Sequence, residues 1–288
     1  MNIIWRCMAI CVVLLPAGLA GQTGESLVTA ELLADAATIR PGQTFRIGVL
    51  LKIKSGWHIY WTNPGDAGVP TVVKLTAPPG FVVGGWQYPV PVRFEQPGEI
   101  TGYGYTDTVL LIAEAKAPPD LRTGSSVVFH ARGSWLACED VCMPGKSDVK
   151  LVLATADASK PAHADLFETW QERMPAAHDS PGRPIVGTHV DGTLSAGSEG
   201  AGFALTIDWK APPRDVEWFP QTPAALAVED VSVQTEARQT RVAFRARVLP
   251  GQRLEGGVLP TVLAWRDDRG RRLGISLPVH LRAAASQP

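Results

Sequence analysis

Two cysteines that lie four residues apart, Cys138 and Cys142, are the side chains of this sequence best suited to chemistry. The chain has four cysteines, and the other two, Cys7 and Cys11, fall in an apolar N-terminal segment that we expect to be removed. A close pair in an otherwise cysteine-free protein can serve as a redox couple, as a structural disulfide or as a clamp for a soft metal ion.

The spacing of the pair restricts the local backbone. Residues four apart on an extended strand are separated by roughly 13 Å, whereas the Cα atoms of a disulfide lie within about 7 Å. The chain must therefore fold back or coil between the two cysteines. Glu139 and Asp140 suit a tight turn, and Met-Pro-Gly at 143–145 would break a continuing helix. We predict that the pair lies at a connection between two strands.

A redox role fits the pair better than a purely structural one. A disulfide that closes a loop of about five residues stabilises the fold by only about 2 kcal/mol. Short-range disulfides are also readily strained, which favours exchange with thiols. No lysine or histidine adjoins the pair in sequence, and Glu139 and Asp140 disfavour a thiolate there. We therefore expect a disulfide that the thiol of a partner opens, with a structurally stapled docking domain as the alternative.

Binding of Cu(I) is another alternative. Cys138, Cys142 and Met143 offer soft sulfur donors, and either His58 or His130 could complete a site. In this interpretation the protein is a non-enzymatic copper-binding or copper-tolerance module. A hydrolase is not indicated, because no serine lies in a nucleophile-elbow motif.

The first 20 residues are typical of a secretory signal peptide. Arg6 precedes an apolar stretch from Met8 to Leu15, and Gly18-Leu19-Ala20, with small residues at its first and last positions, suits a cleavage site. We expect the exported chain to begin near Gly21 and to contain no transmembrane segment, which would need roughly 20 apolar residues. The formal net charge is −1, without a basic stripe, which argues against nucleic acid or an anionic membrane as a partner.

Alternating hydrophobicity predicts an all-β protein. The odd positions of residues 44–53 are apolar, and the same period of two returns at 203–209, 242–248 and 275–281. Turns rich in proline and glycine separate such segments, as in antiparallel sandwiches.

One segment departs from the β pattern. Its apolar residues have helical spacing, at Leu166, Phe167, Trp170 and Met174. We predict a short helical linker at 156–184, which joins a first β-sandwich domain at 21–155 to a second at 185–288.

Three segments, in this order, carry a resemblance to a known family: GWHIYWTNPGDAG at 56–68, GYGY at 102–105 and GSWLACEDVCMPG at 133–145. They resemble the periplasmic N-terminal domain of the DsbD/ScsB thiol:disulfide interchange proteins. The resemblance covers residues 30–154, and the linker and second sandwich are similar to the ScsB branch. It implies immunoglobulin-like sandwiches and a periplasmic location.

The resemblance also implies electron transfer. Cys138 and Cys142 match the family's redox pair, which takes electrons from a membrane-embedded thiol conduit and reduces periplasmic thioredoxin-like partners. No diffusible cofactor is needed, and we expect a monomer. The sequence contains neither the family's transmembrane conduit nor a thioredoxin-like domain. We therefore expect the chain to receive electrons from a separate protein or to be part of a longer one.

Finally, the resemblance implies a cap over the pair. The family shields its cysteines with a loop that bears an aromatic residue, and by position the equivalent here is residues 93–105. The candidate caps are Phe94, Tyr103 and Tyr105, each of which could instead fill the sandwich.

Other aromatic residues are candidates for the surround of the pair. Ile59 and Trp61 alternate with His58 and Tyr60, so a core position for the first two places the last two at the rim of a site. Trp135, three residues before the pair, either walls the site or is buried in the core.

Overall fold

The computed structural model describes residues 26–96, 98, 100–194, 200–252 and 254–282. Most of the regular structure in these residues is β-strand, arranged as two antiparallel sandwiches of the immunoglobulin-like kind, which confirms the predicted fold class. The signal peptide predicted for residues 1–20 lies outside the described residues. In the part of the chain that the structure describes, no helix has the length and apolar character needed to cross a membrane.

Two sheets form the first sandwich. Its strands are β1 (Val28–Ala34), β2 (Ala36–Ile39), β3 (Thr44–Ile53), β4 (His58–Gly65), β5 (Val72–Thr76), β6 (Val82–Val83), β7 (Val92–Gln96), β8 (Ile100–Thr106), β9 (Thr108–Lys116), β10 (Ser126–Cys138), β11 (Cys142–Thr155) and β12 (Lys160–Pro161). One sheet has the order β1-β3-β9-β6. The other has the order β12-β2-β11-β10-β4-β8-β7, with β5 also paired to β10. Strands β2 and β11 pair in parallel, and the other pairs are antiparallel.

Strand β3 is buried on both faces, which its alternation alone does not predict. Its odd positions all lie in the core, as expected. On the opposite face Gly48 and Leu50 are buried as well. A Cβ atom at Gly48 would lie 3.1 Å from Cζ of Phe167, so the glycine lets a helix approach the sheet closely.

That helix is α1 (Ala164–Gln171), within the segment whose apolar residues have helical spacing. Phe167 and Trp170 are 0% and 7% exposed and belong to the core of the first sandwich. On the same surface Arg46 Nη2 lies 2.7 Å from a carboxylate oxygen of Glu168. The linker is therefore docked on the first sandwich through an apolar face.

The second sandwich also has two sheets. Its strands are β13 (Ile185–Asp191), β14 (Ala201–Trp209), β15 (Arg214–Pro220), β16 (Leu226–Glu236), β17 (Gln239–Val248), β18 (Val258–Arg266) and β19 (Arg272–His280), and a 3-10 helix spans Glu255–Gly257. The sheet orders are β13-β14-β17-β16 and β15-β18-β19. The alternating segments found in the sequence line the core between these sheets.

The three-stranded sheet of the second sandwich packs on both sides. Trp218 of β15 belongs to the second core, whereas its neighbour Phe219 is 0% exposed and belongs to the first core. The ring centroid of Phe219 lies 6.1 Å from that of Trp61 and 5.2 Å from that of Tyr103. The two sandwiches therefore share an apolar interface.

Candidate redox site

The two cysteines face each other at the tip of a long hairpin. Strand β10 ends at Cys138 and β11 begins at Cys142, and the antiparallel register continues unbroken from Ser126 and Ala154 to the two cysteines. The cysteines form a disulfide with their Cα atoms 4.2 Å apart. The prediction that the pair lies at a strand connection is confirmed.

The two cysteines differ in exposure. Cys138 is 1% exposed, whereas Cys142 is exposed and lies between Val141 and Met143, which are 61% and 49% exposed. In thiol–disulfide exchange a thiolate must reach one sulfur while the other sulfur leaves. Access therefore favours attack at Cys142 with Cys138 as the leaving group.

Sheet pairing brings a histidine beside the pair. Strand β10 pairs with β5 along its middle, but at the hairpin tip it pairs with β4, where His58 lies directly opposite Cys138. Directly opposed residues of an antiparallel pair have Cβ atoms about 5 Å apart and side chains on the same face. The interpretation that no histidine adjoins the pair holds along the sequence and is wrong in the folded sheet.

Four side chains form what we call the cap cluster: His58, Tyr60, Phe94 and Gln96. The ring centroid of His58 lies 4.1 Å from that of Phe94 and 5.2 Å from that of Tyr60. Nε2 of Gln96 lies 2.8 Å from the Tyr60 hydroxyl and 3.0 Å from Nε2 of His58. Because an amide nitrogen only donates hydrogen bonds, Nε2 of His58 accepts one, which requires a neutral imidazole. Phe94 and Gln96 of β7 thus cover the residue opposite Cys138.

Two glycines of β8 allow close approaches, Gly102 by the Phe94 ring of the cap cluster and Gly104 by the backbone of β4. Gly102 pairs with Phe94, and a Cβ atom at Gly102 would overlap the Phe94 ring. A Cβ atom at Gly104 would overlap the carbonyl oxygen of Ile59. The alternation of glycine and tyrosine at 102–105 therefore places the small residues towards the cap cluster and the tyrosines towards the core.

The remaining predicted aromatic residues lie on the other face of the sheet. The Tyr105 hydroxyl donates a hydrogen bond to the carbonyl oxygen of Pro89 at 2.8 Å, and burial raises the pKa of Tyr105 well above its usual value. Tyr103 packs on the second sandwich through Phe219. Trp135 is 6% exposed, and its odd separation from Cys138 places it on the core face. Of the surround predicted from the sequence, the structure brings three residues to the cysteine face: His58, Tyr60 and Phe94.

Two of the donors considered for copper are not brought to the pair. Met143 pairs with Ala137, so it lies on the opposite face of the hairpin from Cys142. His130 lies on the same strand as Cys138 but roughly 27 Å from it. Across residues 26–282, apart from the undescribed positions, no group of three or more His, Cys, Asp and Glu side chains is placed to hold a metal ion.

The first sandwich matches the sequence model of a known family. The match covers residues 27–154, and the family is described as "Thiol:disulfide interchange protein DsbD, N-terminal". The first sandwich is a DsbD N-terminal domain. The disulfide hairpin, β4 and the cap cluster all lie within this DsbD domain.

Two solved structures resemble the chain. The N-terminal periplasmic domain of ScsB from Proteus mirabilis is 16% identical, with a TM-score of 0.60, over 88% of this chain and 92% of its own. The N-terminal domain of Neisseria meningitidis DsbD in its reduced form is 15% identical, with a TM-score of 0.23, over 46% of this chain and 90% of its own. The likeness to the ScsB domain shows that the two proteins share one fold, which extends over both sandwiches. A comparison with curated proteins gives no match.

The environment of His58 leads to a prediction about pH. Burial lowers the pKa of His58 from its ordinary value of 6.5. Between the folded-state pKa and 6.5 the unfolded chain binds more protons than the folded chain, so acidification favours unfolding. The stability that depends on neutral His58 is complete above about pH 6.5 and is lost as the pH falls through the folded-state pKa.

We therefore expect the unfolding free energy of His58→Gln to fall less on acidification than that of the wild type. Urea unfolding at a series of pH values from about 5 to 7 measures this difference. His130→Gln is the control, because His130 is exposed on the same hairpin and its variant should follow the wild type. An equal loss of stability in the His58 variant and the wild type would contradict the prediction.

Proposed function

We propose that this protein is a periplasmic thiol–disulfide relay, which carries reducing equivalents from a membrane-embedded DsbD/ScsB-like thiol conduit to thioredoxin-like partners. The observation that carries the proposal is the Cys138–Cys142 disulfide, which lies at a hairpin tip inside a DsbD N-terminal domain. The unequal exposure of the two cysteines gives a partner access to one sulfur and keeps the other from solvent.

In the uptake step, a thiolate of the reduced donor attacks Sγ of Cys142. The bond between the two sulfurs of the pair breaks, a mixed disulfide joins the donor to Cys142, and Cys138 leaves as a thiolate that takes up a proton. A second donor thiolate then attacks the donor sulfur of the mixed disulfide. Cys142 is released and protonated, and the donor becomes a disulfide. The pair has gained two electrons and two protons.

In the delivery step, the Cys142 thiolate attacks the disulfide of an oxidised acceptor. One acceptor sulfur leaves and is protonated, and a mixed disulfide forms. The Cys138 thiolate then attacks Sγ of Cys142, which restores the original disulfide and releases the acceptor as a dithiol. Cys138 is held across the ladder from Cys142, so this second step is intramolecular and its effective concentration is high.

The surface around Cys142 suits docking of another protein. Val141, which precedes the accessible cysteine, is a large apolar side chain that is 61% exposed. An apolar partner surface would cover Val141 while its thiol meets Cys142. Docking would then make the exchange selective for the thiol of that partner over small thiols.

The periplasm is the compartment that we propose for this relay. The solved ScsB domain with the same fold is described as periplasmic. The predicted signal peptide agrees with that location, and disulfides persist in the bacterial periplasm.

A redox titration of the purified exported chain tests the proposal. We expect reversible exchange of two electrons between the pair and thiol buffers. The free thiols at each potential are alkylated and counted by mass spectrometry. A parallel titration with Cu(I) covers the copper alternative. Stoichiometric capture of Cu(I) that disappears in Cys138→Ser, together with no reversible thiol exchange, would replace the relay by a copper-binding function.

A further inference from the structure

The second sandwich contacts the chain segment that leads into the cap cluster. Strand β7 carries Phe94 and Gln96, and in the described residues it pairs with β8 alone, because it forms the edge of its sheet. In the segment just before it, Val90 and Pro91 contact Arg272 and Gly274 of β19 in the second sandwich. An edge strand is hydrogen-bonded to a neighbour on one side only. Contacts to the residues at 89–91, which we call the base of β7, therefore have a large influence on its position.

Arg272 of β19 makes the polar contacts at this base. Its guanidinium donates hydrogen bonds to the carbonyl oxygens of Val90 and Pro91, at 3.3 and 2.6 Å. The same group lies 2.7 Å from a carboxylate oxygen of Glu217 on β15. The Arg272 side chain is 20% exposed, so its charge is paired in a largely covered position. A guanidinium can hold several acceptors in one fixed geometry, which a flexible ammonium cannot.

Further contacts fix the same segment. The backbone N–H of Val90 donates to the carbonyl oxygen of Arg173, just after α1, at 3.0 Å. A Cβ atom at Gly274 would overlap the Val90 side chain, so β19 approaches this residue closely. On the returning strand β8, Tyr103 packs against Phe219 of the second sandwich. The segment that leads into β7 and the strand β8 are thus both anchored on the second sandwich.

We propose that Arg272 is a positioning residue, through which the second sandwich holds β7 so that Phe94 stays against His58 beside the disulfide. This inference rests on the proposed function in one respect, since it treats access to the disulfide as the controlled quantity. It assigns a role in the thiol chemistry to a domain that contains no cysteine. Loss of the Arg272 contacts would let Phe94 move away and would uncover the Cys138 side of the disulfide, so that thiols reach the pair from this side as well as at Cys142.

The test measures how fast a small thiol reduces the disulfide in the full exported chain. Dithiothreitol is the probe, and samples are quenched by alkylation and analysed by mass spectrometry. Arg272→Met keeps an apolar stem over Phe219 but removes every donor. We expect it to raise the rate constant for reduction by about tenfold, the scale set by hydrogen bonds to a charged group. Phe94→Ala should raise the rate constant as well.

A double variant distinguishes positioning from general loosening. If Arg272 acts through the cap cluster, adding Arg272→Met to Phe94→Ala should change the rate constant no further, because the two effects share one route. Arg271→Met is the matched control: Arg271 is exposed and pairs with Asp267 in the preceding turn, so its rate should equal that of the wild type. Arg272→Lys keeps the charge without the fork of donors and should restore the wild-type rate only in part.

Two results would overturn the inference. The first is an unchanged rate constant in both Arg272→Met and Arg272→Lys. The second is an Arg272→Met effect of the same size with and without Phe94, which would indicate a general destabilisation. If the methionine variant does not fold, the lysine variant supplies the same comparison. Because dithiothreitol replaces the partners, these outcomes are independent of whether the proposed relay partners reduce the disulfide.

Discussion

Replacing Cys138 with serine is expected to convert the protein into a trap for its partners. The remaining thiol, at Cys142, is exposed and can attack a partner disulfide, but no second cysteine is left to resolve the mixed disulfide. Replacing Cys142 with serine should have the opposite result. The remaining thiol of Cys138 is 1% exposed, so we expect it to react on the order of a hundredfold more slowly, through local opening of the hairpin.

The comparison uses an oxidised thioredoxin-like protein as the probe. Mixed disulfides are counted on non-reducing gels and identified by mass. The variant that lacks both cysteines is the control and should give no covalent complex. Equal trapping by the two single variants, or stronger trapping by Cys142→Ser, would show that exposure does not decide which sulfur is attacked.

Phe219→Ala is expected to lower the stability of both sandwiches. Phe219 is 0% exposed and packs on Trp61 and Tyr103 of the first sandwich, with the guanidinium carbon of Arg272 5.7 Å from its ring centroid. Removing a buried phenyl ring leaves a cavity and typically costs about 3–5 kcal/mol. The cavity would lie between the sandwiches, so both should lose stability. Hydrogen exchange in peptides of β4 and of β18 measures each sandwich separately.

A second buried phenylalanine supplies the control for this prediction. Phe203 is 4% exposed and stacks on Phe244 inside the second core. Phe203→Ala should therefore raise exchange in β18 far more than in β4. If Phe219→Ala also left hydrogen exchange in β4 unchanged, the interface between the two sandwiches would contribute little to the stability of the first one, which would contradict the prediction.

Much of the fold follows from local sequence patterns. The alternation in residues 44–53 and 203–209 predicts strands because one face of each must be buried, and both segments are strands with those faces in the core. The spacing of the two cysteines predicts a reversal of the chain, and the reversal is the β10–β11 hairpin. In each case the deciding interactions lie within a few residues of sequence.

The composition of the site depends on contacts between distant segments, which local patterns do not specify. His58 lies opposite Cys138 only because β4 replaces β5 beside β10 at the hairpin tip. Alternation leaves the two faces of a strand equivalent until the partner strands are known, so Phe94, Tyr103 and Tyr105 are equal candidates for the cap in the sequence. The glycine at 102 is the signal that separates them, since a small residue opposite Phe94 leaves room for its ring.

The role of the helix shows the same limit. Helical spacing of Phe167 and Trp170 predicts an apolar face, but it does not say which surface that face covers. Gly48, in the middle of β3, marks the place where the helix approaches the sheet. A glycine inside a strand is a recognised sign of close approach, and it is the clue that the sequence offers to this contact.

The reduction potential of the Cys138–Cys142 couple tests the central claim most directly. It is measured by equilibrating the wild-type protein with glutathione and dithiothreitol buffers and counting free thiols after alkylation. A relay between thiol proteins requires a potential between roughly −200 and −270 mV, the range of glutaredoxins and thioredoxin. We predict a reversible two-electron transition in that range. A pair that stays oxidised to well below about −300 mV would be a structural staple, and this result would contradict the proposed relay.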